Sequence, residues 1–130
     1  VIVPVTAEGN FIVTRQFRPG NEIVMDELPG GFIDQGETPI AAAAREFREE
    51  TGYVGELEYL MTAARDAYIQ GTYHYFLARN CKRVDLVPQN DEHEFLQVAE
   101  ITPAQLLENA TSGKMTDPAA ALLALRKLGL

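Results

Sequence analysis

Three glutamates, Glu46, Glu49 and Glu50, lie at helical spacing in one stretch of the sequence. The stretch begins with a capping hydroxyl and a proline, Thr38-Pro39, and ends before Gly52, which are typical signals for the start and end of a helix. Each residue of an α-helix turns by about 100°, so positions i, i+3 and i+4 share one face. We therefore expect three carboxylates in one cluster, where each raises the cost of ionising its neighbours.

Such a cluster has two interpretations. One is a solvated helix face, which is the common role of a charge run. The other is a site for a hard divalent cation, because such ions prefer carboxylate and carbonyl oxygens, and Mg²⁺ commonly completes its shell with water and substrate phosphates. The sign pattern counts against the solvated face, because solubility alone would be served equally well by interspersed lysines. The spacing by itself is compatible with both interpretations.

A different face of the same helix carries Ile40, Ala44 and Phe47, about a third of a turn from the glutamates. We expect Ile40 and Phe47 to pack against a sheet. That packing would direct the glutamates away from the core.

The composition excludes several classes of partner. The 130 residues carry 11 Lys+Arg against 19 Asp+Glu, a formal charge of −8, which disfavours electrostatic binding of DNA, RNA or an anionic membrane. Phosphate chemistry on such a chain would need a cation. No apolar run approaches the ~20 residues that cross a bilayer. Cys81 is the single cysteine, so an internal disulfide is excluded and a cytoplasmic location is favoured. We expect Cys81 itself to be a small buried residue at the end of a strand.

The order of strand and helix signals predicts one mixed α+β domain over residues 1–130. Strands are predicted at 1–6, 11–17, 22–28, 57–64, 72–79 and 94–101, with a hairpin turn at 7–10. A capping box at 102–105 and the pair Asp117-Pro118 predict two helices near the end. Since the first residue is Val1 rather than Met, we expect residues before it to be trimmed or missing.

The spacing of the acidic helix and the loop before it resembles the Nudix box, Gly-x5-Glu-x7-Arg-Glu-U-x-Glu-Glu-x-Gly-U, where U is a bulky hydrophobic residue. The matching residues are Gly31, Glu37, Arg45, Glu46, Phe47, Glu49, Glu50, Gly52 and Tyr53. The seven fixed residues would coincide by chance at on the order of one start position in 10⁸ to 10⁹. The resemblance implies the Nudix fold, a mixed β-sheet sandwiched between α-helices. It also implies a hydrolase that cleaves the diphosphate of a nucleoside diphosphate derivative.

The resemblance implies a role for each residue of the box. The ligands of the divalent ion, Mg²⁺ with Mn²⁺ as an alternative, would be Glu46, Glu50, Glu49 and the backbone carbonyl of Gly30 or Gly31. Arg45 would hold a partner carboxylate, Glu37 or Glu49, and so orient the cluster. The bound ions would bridge the pyrophosphate to the carboxylates and lower the pKa of the attacking water.

A second acidic segment, Asp91-Glu92-His93-Glu94, precedes the last predicted strand. By itself it is typical of a charged loop. Beside the box it resembles the distal loop from which many family members supply another ligand or the general base. We expect Glu92 to be the base and Glu94 an auxiliary metal ligand, with Glu46 as the alternative base.

Further segments resemble the subgroup of the family that acts on ADP-ribose and nucleotide sugars. They are residues 15–20 (Arg-Gln-Phe-Arg-Pro-Gly), 27–31 (Glu-Leu-Pro-Gly-Gly) and 113–117 (Gly-Lys-Met-Thr-Asp). A guanidinium fork suits a diphosphate, so Arg15 and Arg18 are candidate substrate contacts, with exposed charges at a strand end as the alternative. Because partners in this subgroup often complete the substrate site, we also expect a homodimer.

Tyr68 stands where ADP-ribose pyrophosphatases usually carry a proline, about fifteen residues after the box. Tyr68 is either a substrate contact that stacks on a base or ribose, or an ordinary packed or half-exposed tyrosine. Because a tyrosine replaces the usual proline, another nucleoside diphosphate sugar is an alternative substrate to ADP-ribose. Dinucleoside polyphosphates or nucleoside triphosphates are further alternatives. A non-catalytic nucleotide-binding module is the alternative from another class, although it predicts the loss of box glutamates that are all present.

Overall fold

The computed structural model describes residues 1–85 and 96–130. These residues form six strands and three α-helices, which confirms the predicted α+β class. In chain order, the elements are β1 (Ile2–Thr6), β2 (Phe11–Arg18), β3 (Ile23–Glu27), α1 (Pro39–Thr51), β4 (Tyr53–Ala64), β5 (Thr72–Arg83), β6 (Gln97–Ile101), α2 (Pro103–Ser112) and α3 (Pro118–Lys127).

The six strands form one mixed sheet in the order β3-β2-β1-β5-β4, with β6 paired to β2. The central strand β1 is parallel to β5 and antiparallel to β2, while the remaining pairs are antiparallel. The predicted hairpin between β1 and β2 is present, and Gly9 takes a φ of 90° in its turn. Such a φ favours glycine, since a β-carbon makes left-handed backbone costly.

The sheet lies between α1 on one face and the pair of helices α2 and α3 on the other. Successive side chains of a strand point to opposite faces. In β1, Val3 therefore belongs to the core shared with Leu106 of α2 and Leu125 of α3, whereas Ile2 packs on the opposite face with Phe47 of α1. This arrangement confirms the predicted sandwich.

The buried face of α1 differs from the predicted one. Ile40 is 47% exposed and Ala44 is exposed as well, while Phe47 is buried as expected. The residues that α1 buries are Ala42, Ala43, Phe47 and Thr51. Because this face includes two small alanines on the side next to Glu46 and Glu50, these glutamates lie beside the buried face. All three carboxylates were expected to point away from the core; Glu49 is exposed, whereas Glu46 and Glu50 are half-buried.

Three strands extend beyond their predicted ends, β2 by one residue to Arg18, and β4 and β5 by four residues each. β4 begins at Tyr53 rather than Leu57, and β5 continues to Arg83 rather than ending at Arg79. The early start follows from Gly52, whose N–H donates to the carbonyl of Arg48 at 2.8 Å and whose φ is 74°. The chain therefore turns directly from α1 into β4. The predicted start of the last strand, at residue 94, lies outside the described residues.

Cys81 is buried within the last part of β5, as expected, and burial raises the pKa of its thiol to about 12. The structure describes no helix that is long and apolar enough to cross a membrane.

Candidate active site

The glutamate face of α1 lies against the loop that follows β3. The backbone N–H of Gly30 donates to Oε2 of Glu50 at 3.1 Å. Gly31 is packed against Glu46 so closely that a β-carbon on Gly31 would lie 2.5 Å from each carboxylate oxygen of Glu46. The loop is tied to the sheet, since the N–H of Ile2 donates to the carbonyl of Pro29 at 2.8 Å. The loop backbone therefore fixes the positions of both carboxylates.

Arg45 links three glutamates of the box, Glu37, Glu46 and Glu49, to one another and to the loop that follows β3. Its Nε and Nη2 donate to the two oxygens of Glu37 at 2.8 and 2.9 Å. Its Nη1 donates to Glu46 at 2.8 Å and to Glu49 at 3.3 Å, and Nη2 also donates to the carbonyl of Phe32 at 3.1 Å. Hydrogen bonding to Arg45 lowers the pKa of Glu37 to about 2, and the same contacts raise the pKa of Arg45. The guanidinium thus compensates the negative charge of the cluster.

A cleft of about 530 Å³ opens beside these residues. Its wall includes the loop at Gly30 and Gly31, part of α1 with Glu46, the connection between β4 and β5, and the start of β5. The volume falls within the range of about 300–1,000 Å³ that is typical of pockets for small molecules. The acidic face of α1 is therefore open to a bound ligand.

The donors on this face fit a hard divalent cation, because carboxylate oxygens are the ligands that such ions prefer. In residues 1–85 and 96–130, however, no three acidic, histidine or cysteine side chains form a ready-made metal site. Glu46 and Glu49 are hydrogen-bonded to Arg45, and Glu50 is hydrogen-bonded to Gly30. Glu46 and Glu50, one helical turn apart, are the residues that could hold an ion, with water and substrate phosphates as its other ligands.

The second acidic segment, which includes Asp91, Glu92 and Glu94, lies outside the described residues. The roles of Glu92 as base and Glu94 as ligand stay predictions.

The two arginines predicted to contact the substrate form cross-strand ion pairs. Arg15 donates to Asp26 at 2.6 and 3.0 Å, and Arg18 donates to Glu27 at 2.5 and 2.6 Å. The first pair follows from the antiparallel register of β2 and β3, in which Arg15 lies opposite Asp26, whereas Arg18 lies opposite Ile23 and pairs with Glu27 further along β3. Among the residues that the structure describes, Glu27 lines the cleft and neither arginine does. Their role in substrate binding stays a prediction.

Tyr68 lies in the connection between β4 and β5 and is 98% exposed, outside the described lining of the cleft. Oδ1 of Asp66 accepts from the backbone N–H groups of Tyr68 and Ile69 at 2.6 and 2.7 Å, and these bonds lower the pKa of Asp66. The tyrosine therefore sits at the tip of an ordered turn near the cleft. Its stacking on a substrate stays a prediction.

Three charged residues of the cleft, Glu27, Arg65 and Asp117, were not predicted as site residues. Asp117 precedes α3 but makes no capping bond, and its carboxylate instead accepts from the hydroxyl of Tyr75 at 2.9 Å. Burial and this hydrogen bond raise the pKa of Tyr75. Glu27 and Asp117 belong to the segments 27–31 and 113–117 noted in the sequence, whereas no motif marks Arg65. The cleft brings together chain segments that are distant in sequence.

Comparison with known proteins decides the family, since the family model described as NUDIX domain matches residues 1–122. The chain belongs to the Nudix family. The ADP-ribose pyrophosphatase of Bacillus subtilis (strain 168) is 33% identical over 118 residues, which cover 89% of this chain and 64% of that protein. The methanol dehydrogenase activator of Bacillus methanolicus is 28% identical over 118 residues with the same two coverages. This Nudix chain thus spans less than two thirds of the length of these relatives.

A solved structure described as an ADP compounds hydrolase matches the Nudix chain with a TM-score of 0.79. The match covers 98% of this chain and 70% of that one at 24% identity. At this identity the likeness shows the fold, and it confirms the Nudix fold predicted from the box. Nudix hydrolases generally use divalent metal ions, which agrees with the carboxylate donors of α1.

Proposed function

We propose that this Nudix domain hydrolyses the diphosphate linkage of a nucleoside diphosphate derivative, with ADP-ribose or a nucleotide sugar as the preferred substrate. The observation that carries the proposal is the contact of Gly30 and Gly31 with Glu50 and Glu46 at the wall of a cleft of about 530 Å³. The relative in Bacillus subtilis named ADP-ribose pyrophosphatase supports the substrate class.

We propose Mg²⁺, with Mn²⁺ as an alternative, as the metal that this site uses. Glu46 and Glu50 would hold it, with Glu49 and the carbonyl of Gly30 or Gly31 as further donors. When bound, such an ion polarises phosphoryl oxygens, neutralises developing charge and lowers the pKa of a bound water. The preference of Mg²⁺ for carboxylate oxygen, water and phosphate supports this choice.

The residues of the chain orient the reacting groups. Arg45 is a positioning residue, because its guanidinium fixes Glu46 and anchors Glu37 at the same time. The N–H of Gly30 fixes the direction of the Glu50 carboxylate. Pre-organised carboxylates reduce the reorganisation that the transition state would otherwise require. We retain Glu92 as the proposed general base, with Glu46 as the alternative.

Substitution of Glu50 by glutamine tests the proposed function. An amide oxygen can still accept the hydrogen bond from Gly30, so the fold should be kept while the negative charge is lost. We expect kcat to fall by about 100-fold or more. Glu108→Gln, at an exposed position of α2, is the matched control and should leave kcat unchanged. Wild-type turnover by Glu50→Gln would overturn the assignment.

The substrate is identified with a panel of ADP-ribose, ADP-glucose, GDP-mannose and dinucleoside polyphosphates, each with Mg²⁺ and with Mn²⁺. We expect hydrolysis of ADP-ribose or of one of the two nucleotide sugars to exceed that of the dinucleoside polyphosphates. Tight nucleotide binding without any hydrolysis would favour a non-catalytic module instead.

We also propose that the protein is a homodimer in the cytoplasm. Phe17 and Val24 are register partners on β2 and β3 and are 59% and 55% exposed. In the described residues β3 is one of the edge strands of the sheet, and a bridge from Asp26 to Met115 covers only one end of it. An exposed apolar pair beside an open strand suits a second copy of the chain. The free, buried thiol of Cys81 fits a reducing compartment.

A further inference from the structure

In the described part of the chain, Arg65 is the only lysine or arginine whose side chain lines the cleft. It directly follows β4, whereas the acidic residues of the lining, Glu27, Glu46 and Asp117, come from three other segments. A diphosphate entering this cleft meets apolar and uncharged residues, these three acidic side chains and one arginine, Arg65. Its negative charge therefore needs a cationic contact in addition to any metal ion.

Carboxylate partners already engage the other arginines near the cleft. The pairs are Arg15 with Asp26, Arg18 with Glu27, and Arg45 with Glu37, Glu46 and Glu49. For Arg65, the structure shows no salt bridge within residues 1–85 and 96–130. Its neighbour Asp66 uses Oδ1 for the turn at Tyr68 and Ile69. The Arg65 guanidinium can therefore pair with an anionic ligand without breaking an ion pair seen in the described residues.

Gly71 sets the position of Arg65. The N–H of Arg65 donates to the carbonyl of Gly71 at 3.0 Å, which closes the connection between β4 and β5. A β-carbon on Gly71 would lie 3.3 Å from Cδ and 3.4 Å from Cβ of Arg65. The aliphatic stem of Arg65 thus packs directly on the glycine, and both residues line the cleft. A larger residue at position 71 would displace the arginine.

We propose that Arg65 is a substrate-binding residue that pairs with the diphosphate of a nucleoside diphosphate derivative, and that Gly71 is its positioning residue. This role rests on the proposed function. A guanidinium presents paired donors that match two phosphate oxygens, and such charge-assisted bonds are stronger than neutral ones. Glu46 and Glu50 lie on α1 and Arg65 follows β4, so the diphosphate would be held from two separate elements of the fold.

Steady-state kinetics of Arg65→Ala on the best substrate of the panel test this role. The lost contact acts on the bound substrate, so we expect KM to rise about 10- to 100-fold while kcat changes by less than about threefold. Arg65→Lys keeps the positive charge but lacks the paired donors of the guanidinium, so its KM should lie between those of the wild type and Arg65→Ala. Arg126→Ala, an exposed arginine of α3 outside the described lining of this cleft, is the matched control with an unchanged KM.

A double-mutant cycle tests the positioning role of Gly71. Gly71→Val should raise KM in the wild-type background because it displaces Arg65. In the Arg65→Ala background it should add little, since no arginine is left to displace. Equal effects of Gly71→Val in both backgrounds would show that Gly71 does not act through Arg65.

Binding of ADP in the presence of Mg²⁺, measured by calorimetry, separates failure of this role from failure of the proposed function. We expect the Kd of Arg65→Ala to exceed that of the wild type by about 10-fold or more. If Arg65→Ala binds ADP more weakly and the wild type hydrolyses nothing, the binding role of Arg65 is supported and the proposed hydrolase function is contradicted. Equal Kd and KM values in the two proteins, with wild-type hydrolysis intact, would overturn the role of Arg65 alone. No measurable binding to either folded protein would also overturn it.

Discussion

The Glu46 carboxylate occupies the space that a side chain on Gly31 would need. A β-carbon built on Gly31 would be 2.5 Å from each of the two carboxylate oxygens, a separation that forces one group to move. Gly31 and Glu46 are fixed residues of the box, fifteen positions apart. Their spacing thus reflects direct contact between the loop backbone and the acidic group.

Gly31→Ala should therefore abolish the proposed hydrolase activity without unfolding the protein. The group that must move is the end of a flexible side chain, so a rotation of Glu46 relieves the overlap at little cost in stability. A misplacement of about 1 Å can lower catalysis by about 100-fold. We expect kcat to fall by about that factor and the thermal midpoint to change little.

The control for this substitution is Gly20→Ala. A β-carbon at Gly20 would meet nothing within 4 Å, and its backbone is outside the left-handed region. Activity should be unchanged there. If Gly31→Ala retained the wild-type kcat, the position of Glu46 would not matter for catalysis.

The ion pair between Arg45 and Glu37 should appear in the pH dependence of stability. Its hydrogen bonds lower the pKa of Glu37 from 4.5 to about 2 in the folded protein. A carboxyl group with a lowered folded pKa stabilises the protein above its unfolded pKa, and the contribution is lost as the group is protonated. This part of the stability should be complete above about pH 4.5 and should disappear as the pH falls towards 2.

Denaturant unfolding of the wild type and of Glu37→Gln at pH 6, 4 and 3 measures this contribution. The variant should be less stable at pH 6, and its stability should fall less steeply with decreasing pH, because position 37 no longer titrates. Arg45→Gln removes the partner and should also reduce the slope. Parallel pH profiles for all three proteins would rule out a contribution from the pair.

Local signals in the sequence were sufficient to predict both ends of α1 and the starts of α2 and α3. The hydroxyl of Thr38 accepts from the N–H of Ala41 at 3.3 Å, and Gly52 takes the left-handed backbone that ends α1. The capping box that opens α2 is also present. The buried face of α1 was predicted wrongly, since apolar Ile40 is exposed while small Ala42 is buried. That choice depends on how the helix seats against the sheet, which periodicity alone does not determine.

The sequence predicted the glutamates of the candidate site but gave no signal for Arg65. Residues on one helix keep a fixed spacing, so Glu46 and Glu50 form a recognisable pattern. Arg65 reaches the same cleft through the sheet topology and through contact with Gly71, and no local spacing encodes either of these. The pairing of Arg15 with Asp26 also depends on the register of β2 and β3.

Gly52 and Gly113 allow a separate test of the turn from α1 into β4. Both glycines end helices, with φ values of 74° and 76°. A β-carbon on Gly113 would meet nothing within 4 Å, whereas one on Gly52 would lie 2.5 Å from the carbonyl oxygen of Asp85. The carbonyl oxygen of Asp85 belongs to the backbone, so it cannot rotate away as the end of a side chain can. Gly52→Ala therefore carries a steric cost in addition to the cost of the left-handed backbone conformation.

We expect Gly113→Ala to lower the free energy of unfolding by about 1–2 kcal/mol, which is the cost of the left-handed conformation. Gly52→Ala should lower it by a further 1–3 kcal/mol or so through overpacking. Urea unfolding of the two variants measures both terms. Equal losses would mean that the contact between Gly52 and Asp85 imposes no constraint.

Val24→Asp tests the proposed homodimer. Val24 is exposed beside Phe17 on the edge strand β3, where a carboxylate would be accepted in a monomer but would be desolvated in an interface. We expect the wild type to sediment as a dimer and Val24→Asp as a folded monomer at the same concentration. Leu107→Asp is the control, because Leu107 belongs to a second exposed apolar groove between α2 and α3. Dissociation by Leu107→Asp alone would move the interface to that groove, and a monomeric wild type would contradict dimerisation altogether.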